Sequence, residues 1–160
     1  MSQEIDYYKI YVDQLRDGKV ERIERDFPPD VMDVQDSDLC FEKSIRVHGE
    51  TYQSEDSLVL HLDLETEGLI PCSICNEPVA VPIAVNGVYQ VISIEHIQGH
   101  IYDMRDVVRE NILINTPAFA ECNGGQCSER ASLAKFLKSQ ETTNQELDEG
   151  HQPFKDLQSF

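Results

Sequence analysis

Leu58, Leu60, Leu62 and Leu64 alternate with Val59, His61, Asp63 and Glu65. That is the period-two pattern of a β-strand with one face in a core and one face wet. Val79, Val81, Ile83 and Val85 repeat the alternation after Cys75-Asn76-Glu77-Pro78, and a further β-rich stretch runs over 88–94. Upstream, Ile45 and Val47 alternate within 44–51. The opening, 5–15, admits two readings. Ile5, Tyr8, Val12 and Leu15 would share a helix face, while Tyr8-Lys9-Ile10-Tyr11-Val12 is rich in β-formers. Asp17-Gly18 has the chemistry of a turn into a charged strand over 20–27, which favours a strand before it. Phe27-Pro28-Pro29-Asp30 breaks the chain ahead of an acidic loop with Asp33, Asp36 and Asp38.

The period then changes. Met104, Val107, Val108, Asn111 and Ile112 recur at helical spacing, with Asp103 as the expected N-cap and Pro117 as the stop. A second short helix is expected from near Ser128, placing Leu133, Phe136 and Leu137 on one side. Residues 139–150 are polar, acidic and aperiodic, the composition of a flexible linker. The last ten residues, 151–160, carry Phe154, Leu157 and Phe160 and read as an apolar docking tail. The expected fold class is α+β: a single β-rich domain over 1–138, built as a mostly antiparallel sheet or partial barrel with one or two C-terminal helices. No internal repeat interrupts this single domain.

Charge narrows the function classes. The chain of 160 residues holds 13 Lys plus Arg against 30 Asp plus Glu, a formal net charge of −17. Between Val47 and Met104 there is no Lys or Arg, while nine carboxylates lie there, Asp63, Glu65 and Glu67 among them. Nucleic-acid affinity comes mostly from cations that neutralise phosphates, so this span is expected to repel RNA and DNA and to attract a basic protein. The candidate partner-binding residues are Asp63, Glu65 and Glu67. Direct RNA contact would have to rest on Arg130, Lys135 and Lys138 in the short helix, a set that also suits the solvated face of an amphipathic helix. No stretch approaches the roughly 18 apolar residues of a membrane span. The polar, acidic start Met1-Ser2-Gln3-Glu4 lacks the basic-then-apolar head of a signal peptide, so a cytoplasmic location is expected.

Five cysteines carry the candidate chemistry. Cys72 and Cys75 form a C-x-x-C, Cys122 and Cys127 a C-x4-C, and 46 residues separate the pairs. Thiols in such pairs, without a secretory signal, point to metal or redox chemistry more than to disulfides. Two tight turns that each present two thiolates can meet around one tetrahedral Zn2+, and Gly124-Gly125 gives the second turn the freedom to do so. A thioredoxin-like role would require a helix after Cys75, but Pro78 and strand alternation follow. His96 and His100 offer an alternative pair of ligands, with surface histidines in a turn as the simpler description. Cys40, alone before Phe41, is expected to be a core thiol. Four thiolates leave zinc no open position for water, and no nucleophile elbow, P-loop or dinucleotide motif occurs, so no enzymatic activity is expected.

With these residues in hand, the chain resembles the YceD-like family, named for accumulation of the large ribosomal RNA subunit. Asp38-Leu39-Cys40-Phe41 leads into a strand ending in glycine, as in that family. Cys72-Ser73-Ile74-Cys75-Asn76-Glu77-Pro78 is similar to its central C-x-x-C-x-x-P segment. The run 101–113, closed by Thr116-Pro117, is similar to its helix, and Gln152-Pro153-Phe154-Lys155-Asp156-Leu157 to the ending of some members. Many members continue past the second pair as G-L-C-P-x-C-G, whereas Cys127-Ser128-Glu129-Arg130 does not. The resemblance implies a bacterial or organellar ribosome-biogenesis factor. Joined to the charge, it gives the expectation of a non-catalytic protein that binds a basic large-subunit ribosomal protein or a pre-ribosomal particle. A direct RNA-binding assembly factor, a zinc-bound adaptor outside ribosome biogenesis, and a thiol redox sensor are the alternatives.

Overall fold

The computed structural model describes residues 7–136. The expected linker and tail, together with Ile5, Leu137 and Lys138, lie outside the described residues. The fold is α+β and mostly antiparallel, as the alternation predicts. Strand β1 (Lys9–Tyr11) pairs with β7 (Ile101–Asp103) in a two-stranded sheet. The main sheet holds β2 (Val20–Phe27), β3 (Cys40–Phe41), β4 (Ile45–Ser54), β5 (Ser57–Pro71) and β6 (Pro78–Ser93). Its order is β2-β4-β5-β3, and β6 pairs with β5.

Strand β5 organises the rest. Leu58, Leu60, Leu62 and Leu64 all point inward and are buried, joined there by Ile83, Val85 and Val88 of β6. Helix α1 (Arg105–Asn115) covers this face with Val107, Val108 and Ile112. Arg109 Nε donates to the Met32 carbonyl at 2.6 Å and ties α1 to the turn at Pro29–Met32. At position 49 of β4 the chains come so close that only glycine fits. A Cβ there would lie 2.0 Å from the His61 carbonyl oxygen, and the φ of +152° is itself a glycine conformation.

Three expectations are corrected. The opening is a strand only as far as Tyr11, and Val12–Gly18 is a 3-10 turn that buries Val12 and Leu15. The stretches around 79–85 and 88–94 form one strand, because Asn86-Gly87 is a bulge and not a turn. Register shifts between Leu62 and Leu64 of β5, and the Gly87 N–H donates to Asp63 Oδ1 at 2.6 Å. Cys40 is exposed, not a core thiol, since the two-residue strand β3 turns its neighbour Phe41 toward the core.

The expected N-cap acts one residue further back than the helix start suggests. Asp103 Oδ1 accepts the Arg105 N–H at 3.0 Å, and the Arg105 guanidinium pairs with the same carboxylate. Partial burial alone would raise the Asp103 pKa, but the bonds from Arg105 outweigh it and hold the carboxyl below its ordinary 3.8. A depressed carboxylate stabilises the fold above its unfolded pKa and loses that effect as pH falls through the folded value. Asp103→Asn is therefore expected to cost about 0.5–1 kcal/mol at neutral pH, since the pair is half exposed. Urea unfolding at pH 7 and below pH 3.8 checks this: the gap between variant and parent should shrink in acid.

Candidate metal centre

The hairpin between the two longest strands closes on Pro71 and Pro78, and its loop is the first cysteine pair. The Cys72 N–H donates to the Glu77 carbonyl at 2.7 Å, and the Asn76 N–H donates to the Cys72 carbonyl at 2.9 Å. Asn76 completes the turn in the left-handed region (φ +64°), which asparagine adopts at low cost. Downstream of α1 the chain returns to this loop. Ala120 bridges Cys72, and its carbonyl accepts both the Ser73 N–H (2.8 Å) and the Ser73 hydroxyl (3.0 Å). Asn123 and Gly124, both with positive φ, then wrap the Cys122–Gly125 turn so that Cys122 and Cys127 face the first pair.

The sulfurs of Cys72, Cys75, Cys122 and Cys127 all lie within 4.8 Å of one another. Cys75 Sγ and Cys122 Sγ are 3.7 Å apart. A tetrahedral Zn–S bond of about 2.3 Å corresponds to sulfur–sulfur edges of about 3.8 Å, so the cluster has the size of a four-thiolate zinc site. It is too open for a disulfide, and all five cysteines are free. Backbone N–H groups of Ile74 (3.5 Å) and Cys122 (3.4 Å) point at Cys72 Sγ. Bonds from the backbone, that of Cys75 foremost, bring the Cys72 thiol down to about 6. Its neighbours respond oppositely. Cys75 receives a favourable backbone bond from Glu77, yet burial and the thiols of Cys72 and Cys127 push it up. The adjoining Cys127 thiol, with burial, pushes Cys122 up to about 12. Four thiols this close cannot all ionise without a cation among them. A divalent metal would supply that cation, and four cysteine sulfurs at this spacing fit one.

A brace absent from the sequence reading holds the second pair. Glu121 Oε1 accepts the Cys127 N–H and the Arg130 Nε, both at 2.9 Å, and Glu121 Oε2 receives the second arm of the guanidinium. The Arg130 bond and the Cys127 N–H hold the Glu121 carboxyl down at about 2. No local pattern pairs residues nine apart across such a turn. Arg130, one of the three candidate RNA contacts, is thus engaged within its own domain. Lys135 sits in the helical stretch 130–136 with its side chain exposed. His96 and His100 lie in exposed 3-10 turns outside the cysteine cluster, and His100 Nδ1 is 3.1 Å from Asp13.

Asp63, Glu65 and Glu67 do share the outer face of β5, but basic side chains from β4 and the residues before it reach them. His48 lies 3.5 Å from Asp63, Arg46 3.1 Å from Glu65 and Lys43 2.9 Å from Glu67. The span without Lys or Arg borrows its counter-charges from β4 and the residues before it. Among the described residues no helix is long and apolar enough to cross a membrane. No family model, curated protein or solved structure matches the chain.

Proposed function

We propose that this protein is a non-catalytic, cytoplasmic factor for large-subunit ribosome biogenesis, held together by one structural Zn2+ and acting by binding a basic ribosomal protein or assembly intermediate. The convergence of four thiols on a single volume carries the metal part of this reading. A redox dithiol needs two sulfurs, and a catalytic zinc needs a position left open to water. A site closed by four thiolates is structural, and reduced thiols of this kind persist in the cytosol.

The charge balance supports the partner. The pairs on the outer face of β5 are exposed, and such pairs contribute only about 0–1 kcal/mol each. A lysine-rich partner can therefore exchange with Lys43, Arg46 and His48, while the net charge of −17 speeds the encounter. The engagement of Arg130 by Glu121 weighs against direct RNA contact by the short helix.

Neutralising Asp63, Glu65 and Glu67 together, to Asn, Gln and Gln, tests this without setting like charges against β4. Capture of basic large-subunit proteins is expected to slow about tenfold at low salt and to differ little at high salt. Unchanged capture by this variant, with RNA retention lost in Lys135→Glu, would favour the RNA-binding alternative.

A further inference from the structure

Strand β6 is sixteen residues long and carries no charged side chain, in a protein where 27% of residues are charged. Among the described residues it pairs only with β5, so its far side is an open edge. Sheet edges invite added strands, and proteins usually blunt them with charge, proline or bulges. Two such devices occupy the first part of β6: Pro82, which has no N–H, and the bulge at Asn86-Gly87. Residues 88–93 have neither.

The backbone there is oriented outward. Ser54 and Ser57 flank the two-residue turn at Glu55 and Asp56, which makes them a mutually bonded pair. Alternation then sends the N–H and C=O groups of Leu58 and Leu60 toward Ile92 and Gln90. The Ile94 N–H donates to the Asp56 carbonyl at 2.9 Å, in phase with that pattern. The polar backbone groups of Tyr89 and Val91 consequently face away from β5. Their side chains stand on the outer face, 63% and 49% exposed. Carboxylates flank the run at both ends: Asp63 at the bulge, Glu55, Asp56 and Glu95 at the hairpin end.

We propose that the edge of β6 over residues 88–93 is a strand-addition site for an extended segment of a basic partner, apolar at alternate central positions and flanked by Lys or Arg. This rests on the basic-partner reading and gives it a docking mode. Main-chain bonds to Tyr89 and Val91 supply affinity, their side chains select apolar residues opposite, and the flanking carboxylates select the charge. A second copy of this chain is the poorer occupant, because it would bring another net −17 against the same flanks.

The test uses the full chain and a short capped peptide of alternating valine and threonine flanked by lysines, followed by fluorescence anisotropy at low salt. Binding is expected. N-methylating alternate backbone amides of the peptide, which keeps every charge, should weaken it about tenfold, the effect of one or two net hydrogen bonds. Val91→Pro removes an outward N–H and should do the same. Tyr89→Lys, a change at an exposed side chain that leaves the core intact, should weaken binding by charge. Equal binding of the N-methylated peptide would overturn strand addition and leave the basic-partner reading standing. Binding of neither peptide would count against the basic-partner reading, and strand addition would fall with it. A free protein that is dimeric, and becomes monomeric as Tyr89→Lys, would assign the edge to a second copy and overturn the proposal.

Discussion

Cys72→Ser is expected to cost the protein its metal and several kcal/mol of stability, part of the roughly 10 kcal/mol that thiolate ligation contributes in small zinc domains. Cys72 is the most connected of the four. It is 2% exposed, its sulfur receives two backbone N–H groups, and its backbone closes both the hairpin loop and the bridge to Ala120. Serine keeps the shape but leaves three thiolates, and a metal held by all four would reinforce the join that Cys72 and Ser73 already make with Ala120, between the tip of the β5–β6 hairpin and the chain beyond α1. The core beneath α1 and β5 remains, so the domain should melt earlier without being unfolded throughout. A fall in Tm of more than about 10 °C is expected for a chain of this size. Chelator should lower the parent to the level of the variant and leave the variant unmoved. Cys40→Ser, at an exposed thiol, should melt with the parent.

Gly49→Ala should be as damaging although it adds only a methyl group. Gly49 lies in β4 between Ile23 of β2 and Leu62 of β5, at the centre of the sheet. The added Cβ would meet the His61 oxygen at 2.0 Å and the Leu62 Cα at 2.9 Å, both backbone atoms that no rotamer change can move. The φ of +152° adds conformational strain for any L side chain. To relieve the contact, β4 must separate from β5 next to the buried Leu60, Leu62 and Leu64. The expected cost is about 3 kcal/mol or more, measured by urea unfolding. Gly99→Ala meets nothing within 4 Å and serves as the comparison, its penalty limited to the positive φ.

How much of this was legible in the sequence depended on whether the determining contacts were local. The alternation of Leu58 to Leu64 announced β5 because an inward–outward pattern needs no knowledge of partners. The two cysteine pairs announced the four-sulfur cluster because each turn is set by its own short spacing. Strand β6 shows in the sequence as two β-rich stretches, since the alternation of Val79 to Val85 breaks at Asn86-Gly87, and that the break is a bulge inside one strand depends on Asp63 of the opposite strand accepting the Gly87 N–H. The 3-10 turn after Tyr11 was hidden because its residues are equally good in a strand, and packing of Val12 and Leu15 decides. The pairing of Asp63, Glu65 and Glu67 with His48, Arg46 and Lys43 followed from a register set across the sheet, invisible to a tally of charge by position. Glu121 and Arg130 gave no sign at all, because the turn that brings them together is shaped by the cysteines between them.

The claim on which the rest depends is that Cys72, Cys75, Cys122 and Cys127 close around one ion. Elemental analysis of the purified protein, followed by replacement with Co2+, measures it directly. One zinc per chain is predicted, with a cobalt spectrum of strong thiolate charge-transfer bands and tetrahedral d–d transitions, both lost in Cys72→Ser and unchanged in Cys40→Ser. A protein without bound metal, or cobalt bands indicating mixed nitrogen and sulfur ligation, would contradict the four-thiolate site.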